Sequence, residues 1–411
     1  MVLLINSNNV TYMCILKSYK NIGPMDKIRR IHADIVKQGL LEEDIRNALI
    51  DAYSRCGYIT EAQKLFEDLL TCNASSWNTL IAGYAKFGML TKAQELFDKL
   101  PSRDIVSWNC LIEGYAEHGH NMETLKYFDQ MQSDSVVKDT ITFISGLKAC
   151  DSLQFVANGQ RIHSEIVRKG FIERDLFLGN MVVDMYAKCG SIMDAQQVFD
   201  TLPLRTLVSW TTIISGYTEC GEGKKALYLF DKMEYLGFAP DEVTYICSLK
   251  ACGSIQDIEK GQNVHLDMMK KGFLLRNSCI VASTLVDMYV KCGFLAEAEN
   301  VFNKLVHKDI VLWTVLISGY VEQGYGEKAL HCFRQMQREG SILIDIATLV
   351  CILKACGGIG AFYHGHEIHS KVIIQGWESD LCVGSSLVDM YANCGLFEES
   401  QLVFDKVLNP N

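Results

Sequence analysis

No two of the sixteen cysteines stand at C-x-x-C spacing, and only five prolines occur in 411 residues. The first absence leaves no C-x-x-C pair to supply half of a zinc site of that type. Sixteen cysteines in so long a chain do not make a disulfide scaffold either, and they read as reduced thiols in an intracellular compartment. Few prolines and 49% hydrophobic residues leave ample material for a continuous apolar core. Long hydrophobic runs are also lacking. The longest, "IATLVCIL" from Ile346, is far too short to cross a bilayer. The first residues, "MVLLINSNNV", hold neither a basic n-region nor an Arg- and Ser-rich amphipathic stretch, so no targeting segment is visible. A basic surplus is missing as well. The formal net charge is −10, which speaks against a mode of binding driven by counterion release from phosphates.

What is present is a recurring phrase. "MVVDMYAKCGSIMDAQQVF" from Met181 returns as "TLVDMYVKCGFLAEAENVF" from Thr284 and as "SLVDMYANCGLFEESQLVF" from Ser386, at intervals of 103 and 102 residues. A fainter copy, "ALIDAYSRCGYITEAQKLF", begins at Ala48. Self-similarity at a fixed period is the mark of a repeat architecture. The segment "SWNTLIAGYAKFGMLTKAQELFDKL" (76–100) shows its physical logic. Trp77, Leu80, Ile81 and Tyr84 fall on one helical face, and Gly88 is placed to end that helix. Ala93, Leu96, Phe97 and Leu100 repeat the offsets in a second helix, which Pro101 stops. One hairpin cannot satisfy two apolar faces, so neighbours must stack.

This template predicts an all-α fold, a right-handed α-solenoid (superhelix) of about twelve helix-turn-helix repeats. After an N-terminal stub, 1–8, the array runs from 9 to 411. Its units are 9–42, 43–73, 74–104, 105–139, 140–175, 176–206, 207–241, 242–278, 279–309, 310–345, 346–380 and 381–411. Eight carry glycine at the inter-helix turn: Gly57, Gly88, Gly119, Gly190, Gly221, Gly293, Gly324 and Gly395. Three hairpin types alternate. The short one carries the recurring phrase, a medium one carries "SWTTIISGY" or "LWTVLISGY", and a third carries "SLKACGS" or "ILKACGG" followed by G-x-x-x-H. One cycle of the three accounts for the interval of about 102 residues.

These phrases, with "SWNCLIEGYAEHG" and "GQRIHSEIVRKG", resemble the consensus of the pentatricopeptide repeat family in its plant-type P-L-S subclass, without the C-terminal extension and deaminase domains that many members carry. The tetratricopeptide pattern W-x-x-L-G-x-x-Y is not met, because Ile81 fills its glycine slot. The resemblance implies single-stranded RNA as partner, one repeat per base, read by the fifth and last residues of each unit in a concave groove. In the family, Asn at the fifth position goes with pyrimidines and Ser or Thr with purines; a final Asp favours U or G, a final Asn or Thr favours C or A. On that code Asn47 with Asn73 implies C or U. Asn78 with Asp104 and Asn109 with Asp139 each imply U, and Asn180 with Thr206 implies C. Thr211 with Asp241, Ser283 with Asp309 and Thr314 with Asp345 each imply G, and Ser385 with Asn411 implies A. Met13, Ile144, Ile246 and Val350 hold the fifth position of the third type and make those units spacers. The implied target, 5′ to 3′, is (C/U)-U-U-x-C-G-x-G-G-x-A. Arg55, Lys86, Lys188 and Lys291 share a slot that lies near the phosphates in the family, whereas Glu117, Glu219, Glu322 and Asn393 occupy it elsewhere. The salt dependence of binding is therefore expected to be shallow.

By the same resemblance the chain acts in organellar RNA metabolism, in mitochondrion or chloroplast, as the site-recognition factor for C-to-U editing. The deaminase would come in trans or from a region beyond this chain. A protein-binding helical scaffold, and an RNA stability or splicing factor, are the alternatives. No cofactor, metal or catalytic residue is expected. "HSE" at His163 resembles the H-x-E of a zinc deaminase, but its slot reads "HAD" at His32, "HLD" at His265 and "HSK" at His369. His364, His366 and His369 read as packed or solvated. The recurring Cys56, Cys189, Cys292 and Cys394, and Cys150, Cys252 and Cys356, read as small apolar fillers.

Overall fold

The computed structural model describes residues 9–18, 25–68, 73–273, 279–305, 307–339, 344–377 and 380–408. All regular structure among them is helical. The chain divides into two compact units, Met1–Arg205 and Thr206–Asn411. Each is an α-solenoid of stacked hairpins.

In the first unit α1 (Asn9–Ser18) pairs with α2 (Met25–Lys37), α3 (Glu43–Arg55) with α4 (Ile59–Glu67), and α5 (Ala74–Lys86) with α6 (Leu90–Asp98). There follow α7 (Ile105–Glu117) with α8 (Asn121–Ser133), α9 (Thr140–Leu153) with α10 (Val156–Arg168), the short α11 (Phe171–Arg174), and α12 (Leu176–Lys188) with α13 (Ile192–Thr201). The second unit holds α14 (Leu207–Glu219) with α15 (Gly223–Tyr235), α16 (Glu242–Ile255) with α17 (Ile258–Lys270), and α18 (Cys279–Lys291) with α19 (Leu295–Lys304). It closes with α20 (Ile310–Glu322) and α21 (Gly326–Arg338), α22 (Ile346–Gly358) and α23 (Phe362–Ile374), and α24 (Leu381–Asn393) and α25 (Phe397–Leu408). Within each unit the first helix of every hairpin also packs on the first helix of the next, so these helices form one continuous row.

Two local rules build the hairpins. All eight turn glycines named above adopt positive φ, from +72° at Gly88 to +85° at Gly57. A side chain there would meet the left-handed penalty that glycine escapes. In two third-type units a glutamine accepts that strain, Gln154 at +58° and Gln256 at +57°. The second rule is aromatic. Phe66, Phe97 and Phe302, late in one hairpin, meet Trp77, Trp108 and Trp313 at the start of the next, edge to face, with centroids 4.8, 4.7 and 4.6 Å apart. The recurring cysteines join the stack as expected of fillers. Cys150, Cys252 and Cys356 are buried, burial pushes each thiol up to about 12, and the Sγ of Cys189, Cys292 and Cys394 lies 3.6–3.9 Å from their carbonyls. Among the described residues no helix is long and apolar enough to cross a membrane.

Candidate nucleic-acid interface

The last residue of one repeat is also the residue that caps the next first helix. Asp104 precedes α7, and its Oδ1 accepts the backbone N–H of Ser107 at 2.8 Å. Asp139, Asp241, Asp309 and Asp345 cap α9, α16, α20 and α22 in the same way, and Asn73 caps α5. Four orphan N–H groups at every helix start need such partners, so the side chain is fixed by backbone chemistry before any ligand arrives.

The fifth-position residue of the preceding repeat reaches the same carboxylate. Asn78 Nδ2 donates to both oxygens of Asp104, at 3.1 and 3.3 Å, and Asn109 Nδ2 to both oxygens of Asp139 at 3.0 Å. Asn47 and Asn73 are joined through the Ser76 hydroxyl, 2.6 and 3.0 Å from their Oδ1 atoms. In the second unit Thr244 lies between Thr211 (2.9 Å) and Asp241 (2.6 Å), and Thr348 between Thr314 and Asp345 (2.6 Å each). Ser283 instead donates to the carbonyl of Ile280, and no bond joins it to Asp309. Asn180 is buried in the first unit with its Oδ1 unpartnered, while Thr206 caps α14 in the second. Ser385 is exposed, and Asn411 lies outside the described residues.

Several of the fifth-position residues sit low in the surface. Asn78, Asn109 and Ser283 are 7%, 8% and 9% exposed. Asn78 and Asp104 line a cleft of about 460 Å³ between α3, α5 and α7, which Arg55 and Lys86 also line. Burial works against the Asp104 carboxylate. Hydrogen bonds from the Ser107 backbone and the Asn78 amide outweigh it, and its pKa falls below the ordinary carboxylate value.

The cationic slot differs from what its sequence suggests. Arg55 is ion-paired to Asp51, Lys188 to Asp184 at 2.8 Å and Asp151 at 3.4 Å, and Lys291 to Asp287 at 2.7 Å. Lys86 lies over the Phe87 ring. The basic stripe is therefore largely neutralised by acids one turn earlier.

The H-x-E segment serves packing. His163 Nδ1 bonds the Tyr186 hydroxyl at 3.1 Å, and Glu165 is held by Lys138 and Lys169 at 3.1 Å each. His32, His265 and His369 pair in the same way with Tyr53, Tyr289 and Tyr391.

Sequence reasoning missed the buried hydroxyls at the third helical position, Ser76, Ser107, Thr142, Thr244 and Thr348. Their signal was legible: [DN]-x-x-[ST] recurs as "NASS", "DIVS", "DTIT", "DEVT" and "DIAT", akin to a capping box.

Stacked helical hairpins whose first helices form a row within each unit, most of them capped by aspartate, define a helical-repeat protein. The chain belongs to the PPR repeat family. The model of that family matches residues 103–150, 205–254 and 308–358, and the PPR repeat model matches 45–73, 75–105 and 280–310. A pentatricopeptide repeat-containing protein of Arabidopsis thaliana named as chloroplastic is 31% identical over 98% of this chain and 60% of its own length. Another from the same plant, named as mitochondrial, is 36% identical over 66% of this chain and 48% of its own. This chain thus spans well under two thirds of the length of such relatives. Among solved structures, the maize pentatricopeptide repeat protein PPR10 in complex with an 18-nucleotide psaJ RNA element matches with a TM-score of 0.58 and 18% identity, over 98% of this chain and 69% of that one.

Proposed function

We propose that the chain binds single-stranded RNA of the sequence (C/U)UUxCGxGGxA, one repeat per base in the twelve-unit frame given above, within mitochondrion or chloroplast. The observation that carries this is the pairing of fifth and last residues into hydrogen-bonded rungs along the first-helix row, one of them in a cleft with Arg55 and Lys86. The RNA-bound maize structure and the organellar names of the relatives support the same reading. Its place in metabolism is site recognition for C-to-U editing, with the deaminase supplied in trans or by sequence beyond this chain.

The test is Thr211→Asn, which places an amide where a hydroxyl stands. Preference at the sixth nucleotide is expected to shift from G toward U, with the other positions unchanged. A mutant that keeps G, or loses all RNAs equally, contradicts the assignment.

The paired cations give a second expectation. Asp287→Asn releases Lys291 toward a phosphate and should steepen the slope of log affinity against log salt by about 0.7, the single-strand value per contact. An unchanged slope would place Lys291 away from the backbone.

A further inference from the structure

The threonine at the third position of α9, α16 and α22 is fully buried: Thr142, Thr244 and Thr348 are 0% exposed. It cannot touch a ligand. It does touch both members of the rung before it, and a hydroxyl has one proton to give. Thr244 Oγ1 lies 2.6 Å from Asp241 Oδ1, and a carboxylate oxygen there accepts. The Thr244 proton is thereby spent, so the 2.9 Å contact between Thr211 and Thr244 is made with the proton of Thr211. The relay runs Thr211 to Thr244 to Asp241, and it leaves Thr211 Oγ1 only lone pairs for the groove. Thr314, Thr348 and Asp345 repeat it with both contacts at 2.6 Å, and Thr314 is also 2.8 Å from the Ile310 carbonyl, another inward acceptor. Both rungs then present acceptors alone. Guanine is the one base that sets two adjacent donors, N1–H and N2–H₂, on its Watson–Crick edge, whereas adenine sets an acceptor beside a donor.

We infer that the buried third-position hydroxyl of the following repeat is a positioning residue for base selection: by fixing the direction of the proton, it turns a fifth-position threonine into an obligate acceptor that admits guanine and refuses adenine. This rests on the RNA reading proposed above. Two internal contrasts carry it further. Behind the Ser283–Asp309 rung the third position is Leu312 and no relay exists; there the Ile280 carbonyl alone takes the Ser283 proton, whereas Thr211 has only Thr244 to give its proton to. Behind Asn78, Ser107 turns its hydroxyl to the Asp104 carbonyl at 2.7 Å, and Asn78 Oδ1, 93% buried with its residue, keeps no protein partner beside the cleft. Where Thr142 replaces serine, its hydroxyl reaches Asn109 Oδ1 at 2.6 Å and fixes which end of that amide faces the carboxylate.

The experiment measures binding of the intact chain to the proposed RNA with G, A, U or C opposite the Thr211–Asp241 rung. Wild type is expected to favour G over A. Thr244→Val, which keeps shape and the backbone N–H to Asp241, should cut that ratio by about tenfold. Thr244→Ser should restore it. Thr348→Val should leave the G over A ratio at the Thr314 rung nearly unchanged, because the Ile310 carbonyl still takes that proton, a contrast that damage to the fold cannot imitate. A G preference that survives Thr244→Val, or an equal loss for all four bases from Thr244→Val and Thr348→Val alike, overturns this inference and leaves the RNA reading standing. A wild-type chain indifferent to the base overturns both.

Discussion

Replacing Gly114 by valine is expected to lower the stability of the first unit by about 3 kcal/mol, the upper end for forcing added atoms into a packed core. Helices α5 and α7 approach closely there. A Cβ on Gly114 would overlap the Ala85 methyl and stand 3.3 Å from its Cα, and the Leu90 side chain closes the site at 3.6 Å. The obstruction is partly backbone, so no rotamer change relieves it. Gly319 meets Val290 in the same way in the second unit. Since each repeat is held mainly by its neighbours, separating two hairpins removes burial on both. Gly119→Ala is the control. It has open space around its Cβ position but φ of +76°, and should cost only about 1 kcal/mol. Urea unfolding of the two variants beside wild type decides it, and equal midpoints would mean that the first helices are not packed as described.

Asp139→Ala is expected to damage stability and recognition together. The carboxylate caps α9 through the Thr142 N–H at 3.0 Å, a bond whose loss costs about 1 kcal/mol. It also holds both contacts from Asn109 Nδ2, whose residue is only 8% exposed, and an abandoned buried amide adds about 1–3 kcal/mol. RNA affinity should fall at least about tenfold with the loss of one rung's hydrogen bonds. Asp139→Asn separates the two roles. Asparagine caps as well as aspartate, so the capping part of the stability should return, while one of the two Asn109 contacts stays lost and the preferred base at that nucleotide moves from U toward C. Thermal unfolding and base-substituted RNAs read the two effects separately. Full recovery of U preference in the asparagine variant would remove Asp139 from base reading and leave it a cap.

The hairpins were legible because their signals are local. A glycine that must adopt positive φ, an apolar face at helical spacing and a phenylalanine before Trp77, Trp108 and Trp313 are all written within about thirty residues. The fifth and last residues were legible as a recurring polar slot, and the structure joins Asn78 to Asp104 and Asn109 to Asp139. Other parts depend on which side chain uses which proton. The dual office of the last residue, as rung of one repeat and cap of the next, required seeing that its helix begins one residue later. The Lys291–Asp287 pair was written as an i, i+4 spacing inside the "VDMYVKCG" phrase, yet the slot reads as a free cation when the lysine is taken alone. The division between Arg205 and Thr206 carries no mark in composition.

The account stands most directly on a single-substitution scan: affinity of the intact chain for (C/U)UUxCGxGGxA RNA, changed one nucleotide at a time, beside a duplex of the same sequence. The expected profile shows losses of about tenfold at the U opposite Asn109 and the G opposite Thr211 and Thr314, and almost none opposite the apolar Ile144, Ile246 and Val350. The duplex should bind poorly, because its base edges are already paired. A flat profile, with the duplex bound as tightly as the single strand, would contradict it.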